Sequence, residues 1–334
     1  MGSGRVASVL NEMDNEPRMG RQHTEKDTAM HIFQVYGNTW CIRDYQLIPF
    51  YKLDEHRIIL LDTGELSQRQ AIEELLEKED LTPAGIICSH VHMDHAGNNS
   101  YFQEKYQIPV AMTLAEAGIC SNITGIKSTH DYSPGFIEKT PFFRSMLCRP
   151  ERIILPEEKT ISFCGAEFGI IPTPGHTPGH ICIMTPDRVL YLADAVLYGS
   201  QLTSSRLPYH FVIGEALASV KRLRNISCDF CIAAHKGVSN DLTTTVNSYL
   251  LYMDRLIRRL LSLLPDDQAI TRDEMIYLVQ KELRLISSHA PKSALFHHMV
   301  SVYIDYLIDE GALEISVMQG ATYYRRIKDN LPGR

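Results

Sequence analysis

Ser89-His90-Val91-His92-Met93-Asp94-His95-Ala96-Gly97-Asn98 puts three histidines and a carboxylate within six residues, just after the apolar run Ala84-Gly85-Ile86-Ile87-Cys88. Side chains two apart on an extended segment point the same way, so His90 and His92 can reach one centre. Past the bend, Asp94 and His95 can face a second centre nearby. Imidazole nitrogens and carboxylate oxygens are ligands for zinc and similar divalent ions. A surface histidine cluster of the tag kind would not be broken by Val91 and Met93, nor would it follow a buried strand. The stretch reads as metal-binding.

Outward from it, the chain keeps delivering polar residues to strand ends. His31–Tyr36, Tyr45–Leu53 and Arg57–Leu61 read as strands, with tight connections at Gly37-Asn38 and Asp54-Glu55. Asp62-Thr63-Gly64 follows the third. It matches an aspartic-protease signature, but only one copy is present and that chemistry needs two carboxylates sharing a proton. A turn beside the metal centre is the better reading. Ser67 to Asp80 reads as a helix with Ser67 and Gln70 as a capping box. The strand 85–88, a helix over 99–106 and a strand over 108–112 follow, and this alternation points to layered α/β architecture. Residues 113 to 150 mix turn signals with aromatics, and read either as a substrate wall or as a helical excursion covering the sheet. His130 is a lone loop histidine within it.

Strands resume over 152–155, 160–164 and 167–172. Thr173-Pro174-Gly175-His176-Thr177-Pro178-Gly179-His180 is a stiff loop carrying two more histidines. Strands over 181–184 and 189–192 come next, and the second ends at Ala193-Asp194-Ala195. A helix over 215–224 precedes a strand over 230–234, which ends at His235-Lys236-Gly237.

Composition narrows the class. With 334 residues, 44% hydrophobic, 22% charged and a formal charge of −7, the chain is an ordinary globular protein with no general attraction to nucleic acid or acidic membranes. No run of about 18 apolar residues appears, which argues against a membrane span. The polar stretch 1–28 lacks a signal pattern and reads as a flexible extension, so a cytoplasmic location is expected. Eight scattered cysteines fit reduced thiols. Cys228-Asp229-Phe230-Cys231 is a lone C-x-x-C inside an apolar strand, better explained by core packing.

The order H-x-H-x-D-H, then T-P-G-H-T-P-G-H, then a strand-end Asp, then H-x-G resembles the metallo-β-lactamase-fold hydrolases, with the glyoxalase II and lactonase branches most similar. The resemblance covers roughly residues 30 to 240. It implies a four-layer αβ/βα sandwich with a dinuclear site at one sheet edge. His90, His92 and His176 would hold one metal, Asp94, His95 and His235 the other, and Asp194 would bridge them. His180 would support the loop from behind, and Asp62 would orient ligands. Diiron redox members carry an acid where this chain has His92, which favours hydrolysis. The implied nucleophile is a metal-bridging hydroxide, oriented by Asp94, which can accept its proton. Tyr198 is a candidate donor to the oxyanion or leaving group, although its spacing from Asp194 departs from the lactonase pattern. Lys236 is a candidate anion contact.

Beyond His235 the periods become helical. Residues 239–264 carry one wide apolar stripe. Thr271 and Glu274 form a capping box for a second helix to about Leu285, and Pro291 opens a third to Glu310. Two short strands over 312–317 and 322–327 close the chain. Helices followed by a hairpin resemble a winged-helix module, which raises nucleic acid as a partner. Residues 241–334 hold 11 Lys/Arg against 12 Asp/Glu, with Arg325-Arg326-Lys328 the sole local cluster, so no basic field supports this. The module is expected to wall the active site or to form a homodimer contact.

The expectations are then an extension over 1–28, a catalytic domain over 29–240 and a helical module over 241–334. The function expected is an intracellular hydrolase with two divalent ions, zinc first and manganese or iron as alternatives, cleaving a small ester, thioester or lactone. The alternatives are a phosphodiesterase or ribonuclease using the same metals, and a metal-dependent sensor.

Overall fold

A computed structural model describes residues 30–235 and 237–328. The expected extension over 1–28 and the candidate Lys236 lie outside the described residues. Seven strands form a first sheet in sequence order: β1 (His31–Tyr36), β2 (Thr39–Arg43), β3 (Leu47–Lys52), β4 (Arg57–Leu61), β5 (Thr82–Ile87), β6 (Val110–Thr113) and β7 (Arg152–Ile154). The first four run antiparallel, and β4 to β7 run parallel. A second sheet has the order β13-β12-β11-β10-β9-β8, built from β8 (Thr160–Phe163), β9 (Ala166–Pro172), β10 (Ile181–Met184), β11 (Val189–Ala193), β12 (Phe230–Ala233) and β13 (Gly237–Ser239).

The period-two alternation of each strand sorts its side chains between two layers. On β4, Ile59 and Leu61 face the second sheet, while Ile58 and Leu60 face the helices α1 (Arg69–Lys78), α2 (Met93–Ala96) and α3 (Asn99–Tyr106). On β11, Val189, Tyr191 and Ala193 point inward, whereas Leu190 and Leu192 join the outer core. Helix, sheet, sheet and helix thus stack as the four layers expected. Each fully buried Leu or Ile contributes about 1.5–3 kcal/mol relative to exposure.

Residues 113 to 150 form four short helices, α4 (Leu114–Cys120), α5 (Ile123–Ser128), α6 (Pro134–Lys139) and α7 (Pro141–Ser145). Ile126, Ile137, Phe143 and Met146 give the last three a small core of their own. Helices α8 (Ser200–Ser204) and α9 (Ile213–Leu223) follow β11. After β13 come α10 (Leu242–Ser262), α11 (Arg272–Glu282), α12 (Ala290–Asp309) and the hairpin β14 (Leu313–Met318) with β15 (Ala321–Arg326). Ile270 bridges to Tyr324, so the order is helix, bridge, helix, helix, hairpin.

Several local readings change. Tyr45–Leu53 is the shorter β3, and β2 and β13 are additional strands. The first capping box uses Glu65 and Gln68, not Ser67 and Gln70, because a 3-10 turn at Leu66–Gln68 precedes α1. The Thr271–Glu274 box forms as read. Cys231 packs in the outer core with Cys228 against it. No described helix is long and apolar enough to cross a membrane.

The C-terminal elements share one core with the outer face of the second sheet. Leu190 and Leu192 belong to the same buried cluster as Val246, Met253, Ile276, Ile304 and Leu313. Met253 is fully buried there. Met253→Ala is expected to cost about 2–5 kcal/mol. Denaturant unfolding followed by far-UV circular dichroism and by Trp40 fluorescence should show the two signals shifting together. A C-terminal transition separate from an unshifted Trp40 signal would disprove the shared core.

Candidate metal centre

Every sequence-proposed ligand comes to one end of the two sheets. The parallel strand β5 ends at Ile87 and releases Ser89–His92. β11 ends at Ala193, whose φ of 46° turns the chain so that Asp194 projects from the strand end. β12 ends at Ala233, two residues before His235. Carboxyl ends of parallel strands are where open α/β sheets hold ligands. The His176 loop is fixed from behind at Gly175. Its φ is +124°, and a Cβ there would lie 2.1 Å from the Ala216 backbone nitrogen of α9. Phe211 and Val212 both donate their backbone N–H to the Gly175 carbonyl.

Three imidazole nitrogens converge first. His90 Nε2 lies 3.1 Å from His92 Nδ1, which lies 2.9 Å from His176 Nε2. Ser89 Oγ donates to Asp62, so it accepts from His90 Nδ1 at 3.0 Å, leaving Nε2 of His90 bare. His176 Nδ1 donates to the Tyr209 carbonyl at 3.1 Å, again leaving Nε2 bare. Facing lone pairs of this kind repel unless a cation sits among them. Burial and the neighbouring histidines push all three imidazoles well below the usual histidine range, which keeps them neutral donors.

A second group adjoins the first. Asp94, His95, Asp194 and His235 each bring a ligand atom within 4.8 Å of the others. His95 Nδ1 donates to Asp62 at 2.8 Å, while its Nε2 faces Asp194 Oδ1 at 3.4 Å and Asp94 Oδ2 at 3.8 Å. His235 Nε2 is 3.3 Å from Asp194 Oδ2 and 3.5 Å from Asp94 Oδ2. Asp194 Oδ2 also lies 3.5 Å from His176 Nε2, so this carboxylate faces both groups. His95 Nε2 and Asp194 Oδ1 are buried with no hydrogen-bond partner. Burial alone would lower His95, but the Asp194 and Asp94 carboxylates hold it well above the usual range, and against the same burial Asp194 raises His235. Orphaned buried atoms and protons drawn onto histidines between carboxylates are what a divalent cation would relieve, so the residues fit a metal.

Behind the ligands stand two buried carboxylates. Asp62 accepts from Ser89 N–H (2.7 Å), Ser89 Oγ (2.6 Å), His95 Nδ1 (2.8 Å) and the Tyr191 hydroxyl (2.7 Å). Sequence reasoning missed Glu116, which sat in the stretch it could not place. Its carboxylate accepts from Val91 N–H (2.8 Å), the Thr177 hydroxyl (2.6 Å) and Gly179 N–H (2.8 Å), tying the two histidine loops together. His180 stands outside the converging nitrogens. It pairs with Thr173 Oγ1 at 2.8 Å and accepts the Asp194 backbone N–H at 3.3 Å, and burial pushes it down to about 3.

Two aromatic positions differ. Tyr198 is half-buried, and its ring packs on Gly237, where a Cβ would come within 2.2 Å of it. Tyr209, unread from sequence, places its ring centroid 5.0 Å from His92 and 5.6 Å from His176. His298 of α12 stacks on Tyr209 and pairs with Asp131 at 2.8 Å, while Tyr132 donates to the Pro291 carbonyl at 2.8 Å. His130 lies 6.4 Å from His92 ring to ring, in the wall and not among the converging nitrogens. The helical insertion and α12 thus meet beside the first group, at a small cavity lined by His130, Tyr132, Tyr209 and His298.

Residues 48–235 match the profile of the Metallo-beta-lactamase superfamily. Among known proteins, the chain is similar to the probable metallo-hydrolase YflN of Bacillus subtilis (strain 168), 32% identical over 177 residues, covering 49% of this chain and 64% of that one. It is 27% identical over 138 residues to a hydroxyacylglutathione hydrolase of Nitrosomonas europaea, covering 41% of this chain and 40% of the relative. It is 27% identical over 157 residues to the Homo sapiens acyl-coenzyme A thioesterase MBLAC2, covering 45% and 52%. The matched part is therefore between 40% and 64% of these relatives' length. A beta-lactamase domain protein from Burkholderia ambifaria superposes with a TM-score of 0.65 at 16% identity, covering 90% of this chain and 97% of that one. A metallo-beta-lactamase family protein from Thermus thermophilus gives 0.60 at 20% identity, covering 84% and 94%. At such identities the likeness is one of fold.

Glu116→Ala removes no ligand atom yet frees both histidine loops. Metal affinity is expected to fall about 10–100-fold, as for other supports of ligating side chains. Competition with a chromophoric chelator measures it, and unchanged affinity would mean the loops hold without the clamp. Loading should also release protons, since ligands must be deprotonated. Affinity should therefore weaken as pH falls, and a pH-independent constant would contradict the arrangement.

Proposed function

Because the chain belongs to the metallo-beta-lactamase superfamily and is a metallo-hydrolase by that membership, we propose that it cleaves a small thioester, ester or lactone using two divalent cations, zinc first. The observation that carries this reading is the pair of adjoining ligand groups with Asp194 facing both. His90, His92 and His176 would hold one ion, Asp94, His95 and His235 the other, with Asp194 shared. Two such ions supply a Lewis acid for the scissile carbonyl and bring a water's pKa towards neutrality.

The chain's own groups do the rest. Asp62 and Ser89 fix the rings of His95 and His90, so their free nitrogens keep one direction. Asp94, with its side chain 27% exposed, is the carboxylate open enough to meet a water and accept its proton. Tyr198, held on Gly237 two positions beyond His235, is proposed to donate to the oxyanion or leaving group. The relatives named for thioester substrates favour carbonyl over phosphoryl chemistry. The contacts of α12 with Asp131, Tyr132 and Tyr209 support a role for it in the wall of a small pocket.

A panel of acyl thioesters, lactones and bis-p-nitrophenyl phosphate tests the class. Hydrolysis of carbonyl substrates, abolished by a chelator and restored by zinc, is expected; cleavage confined to the phosphodiester would overturn it. Asp94→Ala should lower bound metal, measured by elemental analysis, and cut kcat/KM by at least about 100-fold. Tyr198→Phe should lower kcat about 10-fold or more with KM little changed. An unaltered kcat would leave the ring a packing role only.

A further inference from the structure

The even charge count of the C-terminal hundred residues hides a spatial cluster. Arg206 comes from the segment before Tyr209, Arg255 and Arg259 from α10, and Arg284 from the end of α11. All four line one groove of about 400 Å³, together with Tyr252 and Glu282. These arginines are spread over positions 206 to 284, so a cluster local in sequence, such as Arg325-Arg326-Lys328, gives no sign of them. Glu282 neutralises one of the four, pairing with Arg259 at 2.6 Å. Arg206 spends one nitrogen on the Arg284 carbonyl at 2.8 Å. Among the described residues, Arg206, Arg255 and Arg284 have no carboxylate partner, although the chain as a whole carries −7. Three uncompensated guanidiniums around one concavity repel each other, and an anion removes that repulsion.

The groove is wired to the metal centre by two elements. The segment after Asp194 passes the groove at Ser205 and Arg206, then returns to Tyr209 and His210 beside His176. On α10, Tyr249 bonds His210 at 2.8 Å, and Tyr252 one turn on donates to the Ser205 carbonyl. Arg255 and Arg259 lie about 9 and 15 Å further along the helix from Tyr249. By helix rise the groove lies on the order of 10–15 Å beyond Tyr249, a span comparable to the arm of an extended thioester.

We propose that this arginine groove binds the phosphate-bearing end of a thioester's leaving group, of the coenzyme A type. This rests on the thioester reading above and adds the class of leaving group to it. Guanidinium forks suit phosphate oxygens bidentately, and three without a carboxylate partner among the described residues match a multiply charged group better than single carboxylates. The Tyr252 ring offers a flat face for a base.

ADP titrated calorimetrically into the metal-loaded protein should bind, and more weakly as salt is raised. The Arg255→Ala/Arg284→Ala variant removes two exposed side chains with no hydrogen-bonded partner of their own and should melt as the wild type does. Its ADP affinity should drop at least tenfold. Its KM for butyryl-coenzyme A should rise at least tenfold with kcat retained, while kcat/KM for S-butyryl-N-acetylcysteamine, which has no phosphate, stays put. No ADP binding to the wild type overturns the proposal. ADP binding without the KM change makes the groove a site for free nucleotides and overturns the leaving-group assignment. A KM rise for S-lactoylglutathione but not for the coenzyme A ester overturns the phosphate class. Failure to hydrolyse any thioester defeats the functional reading instead, and with it the leaving-group assignment, even if ADP binds.

Discussion

A carboxylate sealed from water must find donors for its lone pairs or lose several kilocalories per mole. Asp62 is 1% exposed and finds four, from Ser89 twice, His95 and Tyr191. Those donors come from the histidine loop after β5 and from β11 of the opposite sheet. Asp62 itself sits at φ 68°, a left-handed conformation that aspartate tolerates better than most residues. The Tyr191 bond can form only when the two sheets are packed in register, while the Ser89 and His95 bonds join neighbouring strand ends of the first sheet. Glu116 repeats the device on the other side, joining the first histidine loop to the second. Sheet packing and site assembly are thereby one event: the same contacts that satisfy two buried acids aim the ligand nitrogens.

Much of this was legible because ligand chemistry and strand periodicity leave local signals. The spacing His90-x-His92-x-Asp94-His95 marks two directions within one bend, and Thr173–His180 announces itself by its prolines and glycines. Glu116 left no such mark. It lies in a short helix within an ambiguous stretch, and its partners are two backbone amides and a hydroxyl that any sequence supplies. Tyr209 was silent for a similar reason, since its relation to His92 arises from the return of a loop. The strands β2 and β13 are short and lie beside turns, so their alternation ran for too few residues to stand out. Glu65 displaced Ser67 as the cap because a 3-10 turn moved the helix start, a shift that cap residues alone do not encode.

The C-terminal helices change what the site is. A detached module would add a binding function beside the chemistry. Here α10 carries both the core contacts of the second sheet and Tyr249, which touches His210 behind His176. α12 meets the wall beside the first group, with His298 stacked on Tyr209 and paired with Asp131. Charge arithmetic along the chain could not foresee Arg206 meeting Arg255, Arg259 and Arg284, because their closeness is a product of helix packing. A neutral sum can conceal a strongly polarised surface.

The insertion over α5 to α7 rests on a core of four residues, separate from the three larger clusters that hold the sheets. It meets α12 through side-chain bonds from Tyr132 and Asp131. Met93, set between His92 and Asp94, packs against that small core, so the wall and the histidine stretch share a contact. A change in the wall that reshapes the mouth therefore presses, through Met93, on the stretch that carries His92 and Asp94, so what the pocket admits and how those side chains are held are tied at that contact.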